Sequence, residues 1–231
     1  MSNPAFLTVA GAQRWDIYGP VHKGLRLAHG AMMARLGQAD WSADQGDLLA
    51  DLAAHLALGA AHLTHEEDHI HAALETRAPG AAQGLAAQHG HHRRRFTDLQ
   101  RAMDQLAAAE PADRLRLGRA LYITFTAFVA EDFEHMAEEE TVVWPQLCAL
   151  FTDEELAGIE MAIIGELTPE ENIGFMRLML PAMNPSERAG LLTGMKANAP
   201  PEAFAAVIDL AARPTLAAND FAELQRLGLV A

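Results

Sequence analysis

The stretch Glu131-Asp132-Phe133-Glu134-His135-Met136-Ala137-Glu138-Glu139-Glu140-Thr141-Val142-Val143-Trp144-Pro145-Gln146-Leu147 decides how the chain is read. His135 and Glu139 are four residues apart, so on an α-helix they stack one turn apart on one face. The stripe through them reads Leu117, Leu121, Phe125, Phe128, Asp132, His135, Glu139 and Val142, at spacings of four and three throughout. A His and a Glu therefore occupy core positions of an otherwise apolar face. A carboxylate there is costly unless it is paired, hydrogen-bonded or bound to a metal. The same pattern occurs earlier, in His62-Leu63-Thr64-His65-Glu66-Glu67-Asp68-His69-Ile70-His71-Ala72-Ala73-Leu74. There His62 aligns with His135, Glu66 with Glu139, Ile70-His71 with Val143-Trp144, and Leu74 with Leu147.

Working outward, half of the 231 residues are apolar. Ala and Leu dominate and β-branched runs are nearly absent, which points to an all-α protein. A net charge of -14 argues against a nucleic-acid partner, which needs a basic face. The run Arg93-Arg94-Arg95 is too short to reverse that and reads as a solvated helix face. One cysteine, Cys148, excludes a disulfide framework and suits a reducing compartment. Residues 1–12 lack the basic start of a signal peptide, and the run Leu121 to Ala130 is about half a membrane span. A soluble, cytoplasmic protein is expected.

The pattern predicts four long amphipathic helices. The first starts after Gly19-Pro20 or near Asp16, stops at Gly37, and turns Tyr18, His22, Leu25, His29, Met32 and Leu36 inward. The second runs from about Ala43 to Arg77 and the third from about Ala81 to Ala109, with Leu85, His89, His92, Phe96 and Leu99 inward. Gly90 in the third, at about 1 kcal/mol of lost propensity, reads as room for close packing or for the site. The fourth runs from Pro111 to about Phe151, with Pro145 expected to kink or end it. Short loops make these an up-down-up-down bundle over 1–151. The chain is also a pseudo-repeat: a His on the first helix of each pair precedes a His-x-x-x-Glu on the second by 40 or 46 residues. Residues 152–231 carry no His, but three capping boxes start at Thr152, Thr168 and Asn184. They predict short helices near 153–166, 169–181, 185–197 and 201–212, and one more near 218–227. Met161, Ile164, Phe175, Met176, Met179, Leu180, Met183 and Met195 give this region enough apolar surface to pack on the bundle or on a partner.

The inward polar residues are His22, His62, Glu66, His89, His135 and Glu139. Carboxylates can bridge two cations while imidazoles fill terminal positions, and a mixed N/O set suits iron, manganese or zinc better than calcium. Two ions sharing such ligands sit about 3.5–4 Å apart. The bland alternative is a metal-free polar core network.

These motifs resemble the hemerythrin-like (HHE) cation-binding family. His22-Lys23-Gly24-Leu25-Arg26 resembles its first-helix His-x-x-Leu-Arg, Gln88-His89 its third-helix His, and the two His-x-x-x-Glu runs its second and fourth helices. The resemblance covers about 14–151. It implies a four-helix bundle around two non-haem irons, with His22 and His62 on one, His89 and His135 on the other, and Glu66 and Glu139 bridging. It also implies binding of, or reaction with, dioxygen, peroxide or nitric oxide, with at most a weak diiron redox activity. Two departures weaken reversible oxygen carriage. Arg93 stands four after His89 where oxygen carriers have a second His, and Glu139 stands where they have Asp one residue further on. The alternative is an iron- or oxygen-responsive protein that signals through 152–231, to a protein partner or a second copy.

Neighbouring residues have expected places. His92 either substitutes as a ligand, lies beside one, or only packs. Tyr18 either reaches an oxygen ligand at the site or sets its hydroxyl at the bundle end. Asp132 is expected to orient His135. His55 and His69, each seven from His62, either extend the site or, as expected, cap the bundle ends or reach solvent, and His65, His71 and His91 are expected on the surface. Glu138 and Glu140 are expected to be solvated, with Glu138 a spare ligand.

Overall fold

The computed structural model describes residues 14–230; residues 1–12, read above as lacking a leader, lie outside the described residues. Among the described residues every regular element is helical, and none is long and apolar enough to cross a membrane. Helix α1 (Gly19–Gln38) has Pro20 in its first turn. Just before it, the Asp16 carboxylate accepts from the backbone N–H groups of Tyr18 and Gly19 at 3.2 and 2.8 Å. Helix α2 (Gly46–His65) passes through a π turn (Glu66–His71) into α3 (Ala72–Arg77). After α4 (Gln83–Ala107), α5 (Pro111–Glu138) passes through a second π turn (Glu139–Val143) into α6 (Trp144–Leu150).

Each of these two π turns begins at the glutamate of a His-x-x-x-Glu motif, which the α-helical periodicity does not foresee. In the second, Pro145 has no N–H for the carbonyl four residues back. The N–H of Trp144 reaches back five residues to Glu139 O. The inserted residue shifts the register by one. Val143 is buried and Val142 is 48% exposed, the reverse of the uninterrupted stripe. Gly90 makes no close helix contact, since a Cβ there would meet only the Arg94 guanidinium at 3.8 Å.

Helix α1 lies against α2 and α5, and α4 against α5 and α2. Two apolar clusters fill the space between them. One gathers Leu36, Trp41, Leu52, Leu99, Leu121 and Phe125; the other gathers Tyr18, Leu74, Leu85, Leu147, Phe151 and Leu156. Every long segment crosses from one cluster to the other, and the candidate ligands lie at the crossings. His22 falls between Tyr18 and Met32, His62 and Glu66 between Leu56 and Ile70, His89 between Leu85 and Leu99, and His135 and Glu139 between Phe128 and Val143.

The later helices are α7 (Asp153–Glu166), α8 (Pro169–Ala182), α9 (Pro185–Asn198), α10 (Pro201–Val207), a π turn (Ile208–Ala212), α11 (Arg213–Thr215) and α12 (Ala218–Arg226). Three begin with the expected reciprocal caps, Thr152 with Glu155, Thr168 with Glu171 and Asn184 with Glu187. Leu180, Leu192, Val207, Ala211 and Leu224 form a third cluster, whereas Met161 and Ile164 are exposed. Helix α8 lies along α1 at close range, because a Cβ on Gly24 would sit 2.8 Å from the Leu178 carbonyl carbon. Gly24→Val should therefore cost about 1–3 kcal/mol by overpacking. The measurement is the urea midpoint, expected to fall at unchanged slope; an unchanged midpoint would place α8 elsewhere.

Candidate metal centre

The layer between the two clusters brings together all six residues of the sequence-derived set, each at most 8% exposed. Glu66 Oε1 lies 3.1 Å from His62 Nε2 and 3.5 Å from His22 Nε2, while Glu66 Oε2 lies 3.5 Å from His89 Nε2. Glu139 Oε2 is 3.4 Å from His22 Nε2 and 3.5 Å from His135 Nε2. Glu139 Oε1 is 3.9 Å from His89 Nε2, and the Nε2 atoms of His89 and His135 are 3.0 Å apart. With metal–ligand bonds of about 2.1 Å, two atoms on one ion lie from about 3.0 Å (at right angles) to about 4.2 Å (opposite) apart. All of these separations fall within that range. Two groups could each hold a metal ion: Glu66, His89, His135 and Glu139, and His22, His62 and Glu66. Glu66 belongs to both.

The outer nitrogens of three imidazoles are held from behind. His22 Nδ1 is 3.0 Å from Glu140 Oε1, and Arg26 grips the same carboxylate through two bonds of 2.6 and 3.0 Å. His89 Nδ1 is 3.0 Å from Glu67 Oε1, and Arg93 grips that carboxylate at 2.6 and 2.8 Å. The two clamps repeat the same chain positions. Each Arg is four after its His, and each outer Glu directly follows the inner Glu of a His-x-x-x-Glu motif. Glu140 and Arg93 are thus not merely solvated, as their sequence positions suggested. His135 Nδ1 meets Gln88 Oε1 at 2.7 Å, and Gln88 in turn donates to Glu138 at 2.7 Å. Gln88 was read only as part of a motif; Asp132 was expected in its role.

These partners are acceptors, so in the neutral rings Nδ1 carries the proton and donates it outward. The Nε2 lone pairs of His22, His89 and His135 then point inward, at carboxylate oxygens and at each other. No hydrogen bond satisfies His22 Nε2, His62 Nε2 or either oxygen of Glu66 and Glu139. Such a concentration of buried acceptors is costly and could hold a metal ion. Without a metal, protons have to serve. Burial and the Glu66 charge push the Glu139 carboxyl well above its usual value. Burial also pushes Glu66 up, but His62 and His22 outweigh it and hold that group well below. For His22, burial is outweighed by the adjoining Glu140 and Glu66 carboxylates, which raise it. Burial takes His89 down to about 4 and His135 down to about 3.

Around the centre the structure corrects several expectations. Asp132 bonds His29 at 2.8 Å, not His135, and its other oxygen is 3.6 Å from His92 Nδ1. His55 is buried and continues this chain, with its Nε2 2.8 Å from His29 Nδ1. His92 packs edge-on to His135, ring centres 4.9 Å apart, and belongs to neither ligand group. Tyr18 stacks on His22 with its hydroxyl buried and unbonded. His69 pairs with Glu166 and His91 with Glu131 toward the surface, while His65 Nε2 is buried without a partner. His71, expected on the surface, is buried against Glu139. A largely apolar cavity of about 130 Å³ ends at His62 and Glu66, with Ile163, Phe175, Met176 and Met179 in its wall.

Compared with family models, with curated proteins and with solved structures, the chain matches none. The geometry carries the assignment, and its titration can be tested. In the metal-free chain burial lowers His55, His71, His89, His92 and His135. Below about pH 6.5 the unfolded chain takes up protons that these native imidazoles refuse, so stability is lost as pH falls. For His55 and His89 the loss continues to about 4. Glu139, His22 and Glu160, all raised, act in the opposite sense above their unfolded values, but are outnumbered by the five lowered imidazoles. The thermal midpoint of metal-free protein should drop between pH 7 and 5; a rise would contradict the buried neutral imidazoles.

Proposed function

We propose that residues 14–151 form an up-down-up-down four-helix bundle holding a non-haem diiron centre of hemerythrin-like kind, which binds or reacts with dioxygen, peroxide or nitric oxide. In this reading 152–231 is a helical region packed on the bundle. The observation that carries it is the convergence of imidazole nitrogens with carboxylate oxygens that no hydrogen bond satisfies, in two groups that share Glu66. Four imidazoles with two carboxylates favour iron, with manganese or zinc as the other fits. His22 and His62 would hold one ion and His89 and His135 the other, with Glu66 and Glu139 shared. Bound iron would supply exchangeable positions and a change between Fe(II) and Fe(III).

The chain's own residues do the rest. The Arg26–Glu140 and Arg93–Glu67 clamps fix the tautomers of His22 and His89 and keep their Nε2 lone pairs inward. The apolar clusters exclude bulk water, and the largely apolar cavity beside the centre has His62 and Glu66 in its lining. Helix α8 lies along α1, which carries His22, and also contributes Phe175 and Met176 to the cavity wall. That contact supports the second reading, in which the centre is a switch read out by the C-terminal helices. Metal- or oxidation-dependent hydrogen exchange in 152–230 would favour it.

Anaerobic Fe(II) titration with a pH indicator tests the proposal. Ligand groups have to give up their protons to bind a metal, so uptake should release protons and tighten as pH rises. Glu66→Ala and Glu139→Ala should lose metal, while Glu67→Ala and Glu140→Ala should bind about 10–100-fold more weakly. Full occupancy in both inner variants would remove the bridging assignment.

A further inference from the structure

Of the buried imidazoles outside the six-residue set with an unbonded ring nitrogen, His71 and His92, His71 is the one that faces a carboxylate of the set. His71 is 4% exposed, and neither of its ring nitrogens has a hydrogen-bond partner. Its ring centre is 4.8 Å from that of His89, and its Nε2 is 3.7 Å from Glu139 Oε1. That oxygen also faces His89 Nε2 at 3.9 Å. Two atoms sharing one ion can be up to about 4.2 Å apart, so His71 Nε2 and Glu139 Oε1 are close enough to share one, although His71, like His92, stands outside both ligand groups and has to close on the ion.

The π turn explains how His71 arrives there. On an α-helix a residue five positions beyond Glu66 is about 140° away around the axis, which would turn it from the centre. The π turn over Glu66–His71 bonds residues five apart and brings His71 back to the face of Glu66. Nothing holds the His71 ring from behind, unlike those of His22, His89 and His135, so it is free to close on an ion. The second π turn has Trp144 at the matching position, with its indole N–H given to Trp15 O at 3.2 Å.

We propose that His71 is a seventh protein ligand of the centre, completing a set of three imidazoles with His89 and His135. The two halves of the pseudo-repeat are then chemically unequal, three imidazoles on one side against His22 and His62 on the other. This inference rests on the metal-binding reading and fails separately from it, as a Co(II) titration distinguishes.

The test uses the full chain loaded anaerobically with Co(II), following the visible ligand-field absorption. Wild-type protein should take up about two ions; none would sink the metal reading and this inference with it. His71→Ala should bind the weaker ion at least about tenfold less tightly and change the absorption bands. His92→Ala, a buried imidazole beside His135 that faces Asp132, is the control and should leave both unchanged. Should His71→Ala fold poorly in the metal-free state, His71→Gln keeps most of the volume and gives the same comparison. A further readout needs no variant. Each ligand imidazole contributes one exchangeable, paramagnetically shifted N–H resonance in the Co(II) protein. Five such resonances are expected; four, or a His71 variant with wild-type affinity and spectrum, would reduce His71 to a packed side chain.

Discussion

Two carboxylates, Glu66 and Glu139, lie in a dry layer between apolar clusters with no donor bonded to either. Removing one ionised carboxylate from water costs several kcal/mol, and two close together repel as well. Only positive charge makes this layer tolerable. In the metal-free chain it comes from protons, with Glu139 and His22 both shifted toward their protonated forms. Two such acids among imidazoles that burial keeps neutral at His89 and His135 make a place where a divalent ion can displace protons. The rest of the centre follows from this constraint. Glu67, Glu140 and Gln88 bond the far sides of the rings, so the near sides are left as acceptors.

The centre is nearly two-fold in sequence and in structure. Each half has a His, an Arg four residues later that clamps a carboxylate behind it, a His-x-x-x-Glu-Glu run, and a π turn beginning at the inner Glu. Helices with extra residues are seldom kept without a use. Here the insertion lets the ligand stretch and the apolar stretch beyond it face the same interior, as the burial of both Ile70 and His71 shows.

Much of this was legible in the sequence. Three-and-four spacing placed the six inward polar residues on four helices, and the capping boxes placed α7, α8 and α9 to within about a residue. What stayed hidden depends on contacts across the fold. The choice between an α and a π turn is made by packing, so α-helical spacing alone turns His71 to the surface and Val142 to the core, the reverse of their places in the fold. Asp132 does lie on the predicted stripe, but its carboxylate turns to His29 while Gln88 takes His135. A usable signal was available for the clamps. The pairs Glu66-Glu67 and Glu139-Glu140, read with His22-x-x-x-Arg26 and His89-x-x-x-Arg93, repeat too regularly to be four solvated charges.

The central claim is that the buried acceptors exist to hold metal, and metal content per chain tests it most directly. The measurement is elemental mass spectrometry on protein purified aerobically without a histidine tag, repeated after anaerobic Fe(II) addition and desalting. The account predicts about two irons per chain. No stoichiometric metal in either sample would contradict it and leave the layer as a polar network held together by protons.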